Sequence, residues 1–245
     1  MNVCIVGDGL VSLTLAKALV SQGIYVDIFS DQKVNKIDKS RTLALSKANI
    51  DFFNKNILNI DKFLWDINKI EIYSESLKNE KLLNFKNDKK QLFSIIRNYE
   101  LYNYLFLSLI KNNFFKKKKD YKKLKIKNYN LIINCDINSS FTKKYFHNKL
   151  SKNYNSFAHT TIIDHKKLIN NNTAVQIFTK RGPIAFLPLS NIKTSVVYSV
   201  RGFNKINLEN LIKKYNTKYS NIRINQISSF ELKSSSVLIK PSSKF

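Results

Sequence analysis

The sequence predicts an α/β fold, with a parallel β-α-β unit at the N-terminus and an interleaved β-rich region that dominates the second half. Three observations carry this prediction. A short apolar run, Val3 to Val6, is broken by Gly7-Asp8-Gly9 and gives way at once to a helical apolar period. A second apolar run, Ile24 to Phe29, follows that helix within the first thirty residues. Beyond residue 150, apolar runs of strand length recur with one helical interruption.

Taken in order, Val3–Val6 reads as a buried parallel strand, because an apolar run bounded by glycine has that character. From Leu10 the period becomes helical. Leu15, Ala18 and Leu19 share a face with Val11 one turn earlier, and Gly23 ends the helix as a C-terminal cap does. Ile24–Phe29 is the second strand. The spacing then predicts short helices over Ala48–Asn56 and Ile60–Trp65, and strands over Ile70–Tyr73 and Leu92–Ile96. Leu101, Leu105 and Leu109, four apart, predict an amphipathic helix. Lys111–Lys127, which contains Lys116-Lys117-Lys118-Lys119, reads as a solvated loop or hairpin. Leu131–Asn134 is a strand. Four more are expected at Ala158–Ile163, Ala174–Thr179, Ile184–Leu187 and Thr194–Val200, with a helix over Leu208–Tyr215. In these later strands Ala174, Phe178, Phe186 and Leu187 are expected to be buried.

The order strand, glycine turn, helix, strand is the context of a dinucleotide-binding unit. Gly7 allows the tight turn, and Gly9 lets the backbone approach a pyrophosphate. The N–H groups of the helix start, at Leu10, Val11 and Ser12, face that spot together with the positive end of the helix dipole. Ser12 occupies the third glycine position. The acid that holds ribose hydroxyls belongs about twenty residues on, where Ser30 and then Asp31 stand. Either Asp31 shifts into that role, or Ser30 gives a neutral hydrogen bond and Asp31 caps the next turn.

The formal net charge of +25 raises the prospect of nucleic acid or anionic lipid as a partner. Only five of the 42 basic residues are Arg, however. Base-specific readers rely on the planar fork of Arg, and specific nucleic-acid binding is not expected. A Lys-, Asn- and Ile-rich composition fits codon drift in an AT-rich genome, with attraction to a membrane surface as the other reading. Cys4 and Cys135 lie in apolar runs and read as buried structural thiols. His147, His159 and His165 lack metal-ligand spacing. No run of about eighteen apolar residues occurs and no secretory signal precedes the first strand, so a cytoplasmic protein, peripheral at most to the inner membrane, is expected.

Several segments, in order, resemble the FAD-dependent hydroxylases of ubiquinone biosynthesis, relatives of para-hydroxybenzoate hydroxylase. Ile5–Ala16 resembles their N-terminus, and Arg41-Thr42-Leu43-Ala44-Leu45-Ser46 is similar to their R-x-x-A-L-S segment. Ile70–Ser74 looks like the strand that opens the substrate region. Asn98-Tyr99-Glu100-Leu101 stands where the family has N-R-x-L, and Leu131–Asp136 resembles its L-x-V-G-A-D-G strand. The strongest likeness is Ala174–Leu189, similar to A-x-x-x-F-x-x-x-G-P-x-A-x-L-P-L.

The resemblance implies a Rossmann-like FAD-binding domain over residues 1–70 and 91–150, and an interleaved β-rich substrate domain over 71–90 and 151–245. It implies FAD as cofactor, NAD(P)H as reductant and a polyprenylated phenol as substrate, hydroxylated on the ring. The FAD-binding residues would be Gly7, Gly9, Leu10, Val11, Ser12, Ser30, Asp31, Arg41 and Asp136; no catalytic residue is assigned. Ser12, Ser30, Tyr99 and Ile137 depart from the family pattern around FAD. The family's C-terminal Gly-Asp-Ala strand end has no counterpart before Phe245, so the C-terminal part of the family fold is expected to be missing. Weakened FAD binding is expected from these departures. Two other readings stand beside the hydroxylase: a non-catalytic homologue serving in a biosynthetic complex, and a basic nucleic-acid-binding protein in which Phe114, Phe115 and Tyr121 stack bases beside the lysine run.

Overall fold

A computed structural model describes residues 1–30, 37–77, 80–87, 91–119, 124–139, 142, 148–202 and 206–238. Its first layer is a four-stranded parallel sheet. Strands β1 (Asn2–Val6), β2 (Tyr25–Ser30), β8 (Phe115–Lys119) and β9 (Leu131–Asn134) lie in the order β8-β2-β1-β9. Val3 is in register with Val26 on one side and Leu131 on the other. Helices α1 (Leu10–Ser21) and α3 (Asn98–Ile110) cover one face of this sheet. Their buried stripes, Leu13-Ala16-Val20 and Leu101-Leu105-Leu109, meet Val3, Ile5, Val26 and Ile28 in the first core. The i, i+4 leucines of α3 are thus buried as their period predicts.

The second layer is an eight-stranded sheet. Along its main path the order is β14 (Arg223–Ile224), β10 (Asn148–Asp164), β13 (Lys193–Arg201), β12 (Gly182–Pro188), β11 (Thr173–Thr179), β5 (Lys69–Ser74) and β6 (Glu80–Lys86). The eighth strand, β15 (Ser228–Leu238), pairs with β10. All its pairings are antiparallel except one: β5, from the first third of the chain, runs parallel to β11. Helix α4 (Leu208–Tyr215) packs on this sheet through Leu208, Ile212 and Tyr215, forming the second core with Ile177, Ile184, Phe186, Val196 and Tyr198. A small antiparallel sheet, β3 (Thr42–Leu45), β7 (Phe93–Arg97) and β4 (Trp65–Ile67), bridges the two layers. Its Ile67 and Ile95 are buried against Ala174 of β11. Helix α2 (Lys47–Asn56) starts at a Ser46 side-chain cap.

The expected α/β architecture with interleaved strands is therefore present. Three local expectations are corrected. Ile60–Trp65 is not a helix: a single 3₁₀ turn, Asp61–Phe63, leads into β4. Trp65 is drawn into the sheet opposite Ile95, and its indole N–H donates to the Asn171 carbonyl at 2.7 Å. The lysine run is not a loop at Lys116–Lys119 but the edge strand β8, in register with β2 from Phe115↔Val26. Buried Phe115 fixes that register, and the lysines suit an unpaired sheet edge. Phe178 is 45% exposed rather than buried. Neighbouring strand residues face opposite sides; Ile177 takes the inward side, and the cover that buries Ala174 on the other face stops short of Phe178. Ala174 and Phe186 are buried, and Leu187 partly so.

Candidate active site

The C-terminal ends of the parallel strands gather the chemistry, as they do in open α/β sheets. Gly7 follows β1 at φ +104°, a backbone conformation that only glycine adopts freely. A Cβ there would lie 3.1 Å from the Asp136 Cβ. Gly9 is the N-cap of α1, and no side chain caps that helix. Nothing lies within 4 Å of where a Gly9 Cβ would be. The first turn of α1 therefore offers backbone N–H groups beside open space.

The residues named from the sequence fall into three groups. Gly7, Gly9, Leu10, Val11 and Ser12 form the turn and helix start, Val11 with its side chain exposed and Ser12 buried. Ser12 fits the third glycine position because its hydroxymethyl group packs beside the half-buried Cys135, whose thiol is pushed up by burial. Ser30, the last residue of β2, is also buried, and its Oγ has no hydrogen-bond partner among the described residues. An unpaired buried hydroxyl at this place fits a ligand hydroxyl. Asp136 follows β9 against Gly7, and its carboxylate accepts the Asn138 N–H at 2.9 Å. Arg41 stands apart: its side chain is exposed, with the guanidinium 5.2 Å from the Phe230 ring centroid. Asp31 and His147 lie outside the described residues. His165 is buried, its Nε2 3.0 Å from the Thr194 hydroxyl, and His159 pairs through Nδ1 with Ser229 Oγ at 2.7 Å.

Between the two layers opens a cavity of about 800 Å³. Tyr99, Tyr102 and Phe106 of α3 form one wall; Ile162, Asn225, Gln226 and Ser228 on or beside the large sheet form the other. Ser40 joins the layers. Its Oγ is 2.6 Å from Thr160 Oγ1, and its backbone N–H donates to the Asp38 carboxylate at 2.7 Å. Burial raises the Asp38 carboxyl, but hydrogen bonds from Ser228 and Ser40 outweigh it and hold it below the usual range. Three cations line the same space. Lys39 Nζ and the Arg97 guanidinium each lie 5.3 Å from the Tyr99 ring centroid, and Lys117 is the third. Arg97 Nη1 donates to Glu100 Oε1 at 2.8 Å, while its buried Nε has no partner among the described residues.

Tyr99, which departs from the family pattern, and Arg97 two residues before it both line the cavity. Sequence reasoning missed Lys39, Ser40, Tyr102, Phe106 and Lys117. The i, i+3, i+7 spacing of Tyr99, Tyr102 and Phe106 is a signal in the sequence, since it puts all three on one side of α3 next to its leucine stripe.

Comparison with solved structures agrees with this architecture. The chain matches p-nitrophenol 4-monooxygenase PnpA from Pseudomonas putida at TM-score 0.72 and 11% identity, over 96% of its own length and 68% of that chain. It matches CtdE, solved in complex with FAD and a substrate, at TM-score 0.67 and 11% identity, over 87% and 62%. PqsL from Pseudomonas aeruginosa, described as a probable FAD-dependent monooxygenase, matches at TM-score 0.62 and 14% identity, over 82% and 60%. The chain thus spans roughly two thirds of the length of these structures. The sequence itself matches no family model and no curated protein. What these likenesses establish is the fold, a parallel β-α-β unit joined to a large sheet, which this chain shares with these solved structures.

Proposed function

We propose that the chain is an FAD-dependent monooxygenase that hydroxylates an aromatic ring. The observation that carries this reading is the glycine turn at the C-terminal edge of the parallel sheet, set beside an aromatic- and cation-lined cavity that a second sheet closes. The fold shared with FAD monooxygenases supports it.

The residues present fit the cofactor. The N–H groups of Leu10, Val11 and Ser12 and the dipole of α1 would hold its diphosphate. Ser30 Oγ would bond a ribose hydroxyl, and Arg97 Nε an acceptor in the cavity. Bound there, FAD would supply the redox chemistry by which NAD(P)H gives two electrons to dioxygen, one oxygen atom entering the ring and the other ending as water. Tyr99, Tyr102 and Phe106 exclude water from that space, and Ser40, Asn225, Gln226 and Ser228 offer polar groups that orient a ring substituent. The finer reading keeps a polyprenylated phenol of ubiquinone biosynthesis as the substrate, with encounter at a membrane surface or within a biosynthetic complex. Among the described residues no helix is long and apolar enough to cross a membrane.

The test is direct. Purified protein is titrated with FAD while flavin fluorescence is followed, then assayed for NAD(P)H oxidation with simple and prenylated phenols. Saturable FAD binding and phenol-dependent oxidation with a hydroxylated product are expected. Absence of any FAD binding would overturn the reading. Hydroxylation of simple but not prenylated phenols would remove only the ubiquinone assignment.

A further inference from the structure

The lysine run reaches the glycine turn through one residue. In β8 the side chains alternate. Phe115 faces the core under α1 and α3, and Lys117 shares that face. Lys118 faces the other way, bonded to Asp27 and Tyr129. From its face Lys117 extends past the Phe106 ring, with Nζ 5.2 Å from the centroid, to Asp8 between the two glycines. Its Nζ is 2.8 Å from Asp8 Oδ2, and the two side chains are only 23% and 20% exposed.

Asp8 is a hazard at this position. A diphosphate held at the start of α1 would meet a carboxylate on the same turn, and like charges repel strongly where water is partly excluded. Among the described residues Lys117 is the charge partner that Asp8 has. We propose that Lys117 makes the turn competent for a diphosphate by neutralising Asp8. Lys117 is thus a positioning residue for the nucleotide, acting through Asp8, and the odd basic strand is part of the site. This inference rests on the reading that the turn binds FAD.

A double-mutant cycle separates the two claims. FAD and ADP are titrated against wild type, Lys117→Met, Asp8→Asn and the double variant by calorimetry, with circular dichroism to check folding. Lys117→Met is expected to weaken both ligands by roughly ten- to hundredfold, the worth of one charged contact. Asp8→Asn should bind them at least as tightly as wild type, and adding it to Lys117→Met should restore affinity to within a few fold. Unchanged affinity in Lys117→Met, or a double variant as weak as the single, overturns this inference and leaves FAD binding standing. Wild type that binds neither ligand overturns both. Where Lys117→Met fails to fold, Asp8→Asn decides: weaker binding than wild type overturns the role given to Lys117.

Discussion

The two main sheets solve the same packing problem in opposite ways. The parallel sheet is small and its inner strand β1 is a nearly pure apolar run; Val3, Cys4, Ile5 and Val6 are all fully buried. The large sheet has long strands with stretches open to solvent on both faces. All seven residues of β6 are exposed, and so are Ser151–Asn155 of β10. Backbone geometry follows this difference. Gly9 at the parallel edge leaves open space beside the helix start, whereas Gly182 in the large sheet leaves room only for another strand: a Cβ there would lie 1.9 Å from the Ser199 carbonyl oxygen. Glycine thus marks a site in one region and a seam in the other.

The largest expected effect tests the seam. Gly182→Ala combines φ +144° with a clash against the Ser199 backbone of β13, at the first residue of β12 just beyond the end of the β12–β13 ladder. It should destabilise the fold by about 4 kcal/mol or more, read as a fall in denaturation midpoint; a loss under about 1 kcal/mol would show that the two strands separate easily. Gly9→Val sharpens the contrast. It meets no atoms and needs no unusual φ, so stability should change by about 1 kcal/mol or less. Because the branched side chain fills the space beside the helix start, FAD binding should be lost. Equal FAD affinity in mutant and wild type would remove Gly9 from the site.

A smaller effect concerns charge on the large sheet. Burial pushes the Glu71 carboxyl up, but hydrogen bonds from Lys69, Lys81 and Tyr73 outweigh it and hold it down to about 2, against an ordinary 4.5. A lowered carboxylate stabilises the folded state above its ordinary value, and that stability is lost as pH falls toward the folded one. After allowance for solvent screening of Lys81, Glu71→Gln should cost about 1 kcal/mol at pH 7. The gap between mutant and wild type in thermal melts should close on acidification from above 4.5 toward 2. A gap independent of pH would show that Glu71 acts by packing. The smallest effect is chemical. Burial, with Asp27 adding to it, pushes the Cys4 thiol up to about 12. Iodoacetamide at neutral pH should leave Cys4 unmodified in native protein and label it in denaturant, as mass spectrometry would read; rapid native labelling would show that β1 opens.

The same contrast explains what could be read in advance. The parallel unit was legible because burial forces its apolar period on the sequence: Leu101, Leu105 and Leu109 announce α3, and Gly7-Asp8-Gly9 announces the turn. Strand β15 was not, since Ser228-Ser229-Phe230-Glu231-Leu232-Lys233 is mostly polar and owes its conformation to pairing with β10. The site was half legible. Its backbone parts are local in sequence, whereas the Lys117–Asp8 and Ser40–Thr160 contacts join residues more than a hundred positions apart. A charge run reads as solvent-facing until a partner is placed beside one of its members.

The parallel pairing of β5 with β11 also sets an order of assembly. Lys69 must wait for Thr173 to be synthesised before it finds its neighbour. Until then the hairpin of β5 and β6 leaves the ribosome with the backbone edge of β5 that β11 will take still unpaired. Pairing this distant in sequence folds slowly and is prone to aggregation. Ribosome-bound chains stalled before residue 173 should therefore recruit holdase chaperones, and chains that have passed β11 should release them.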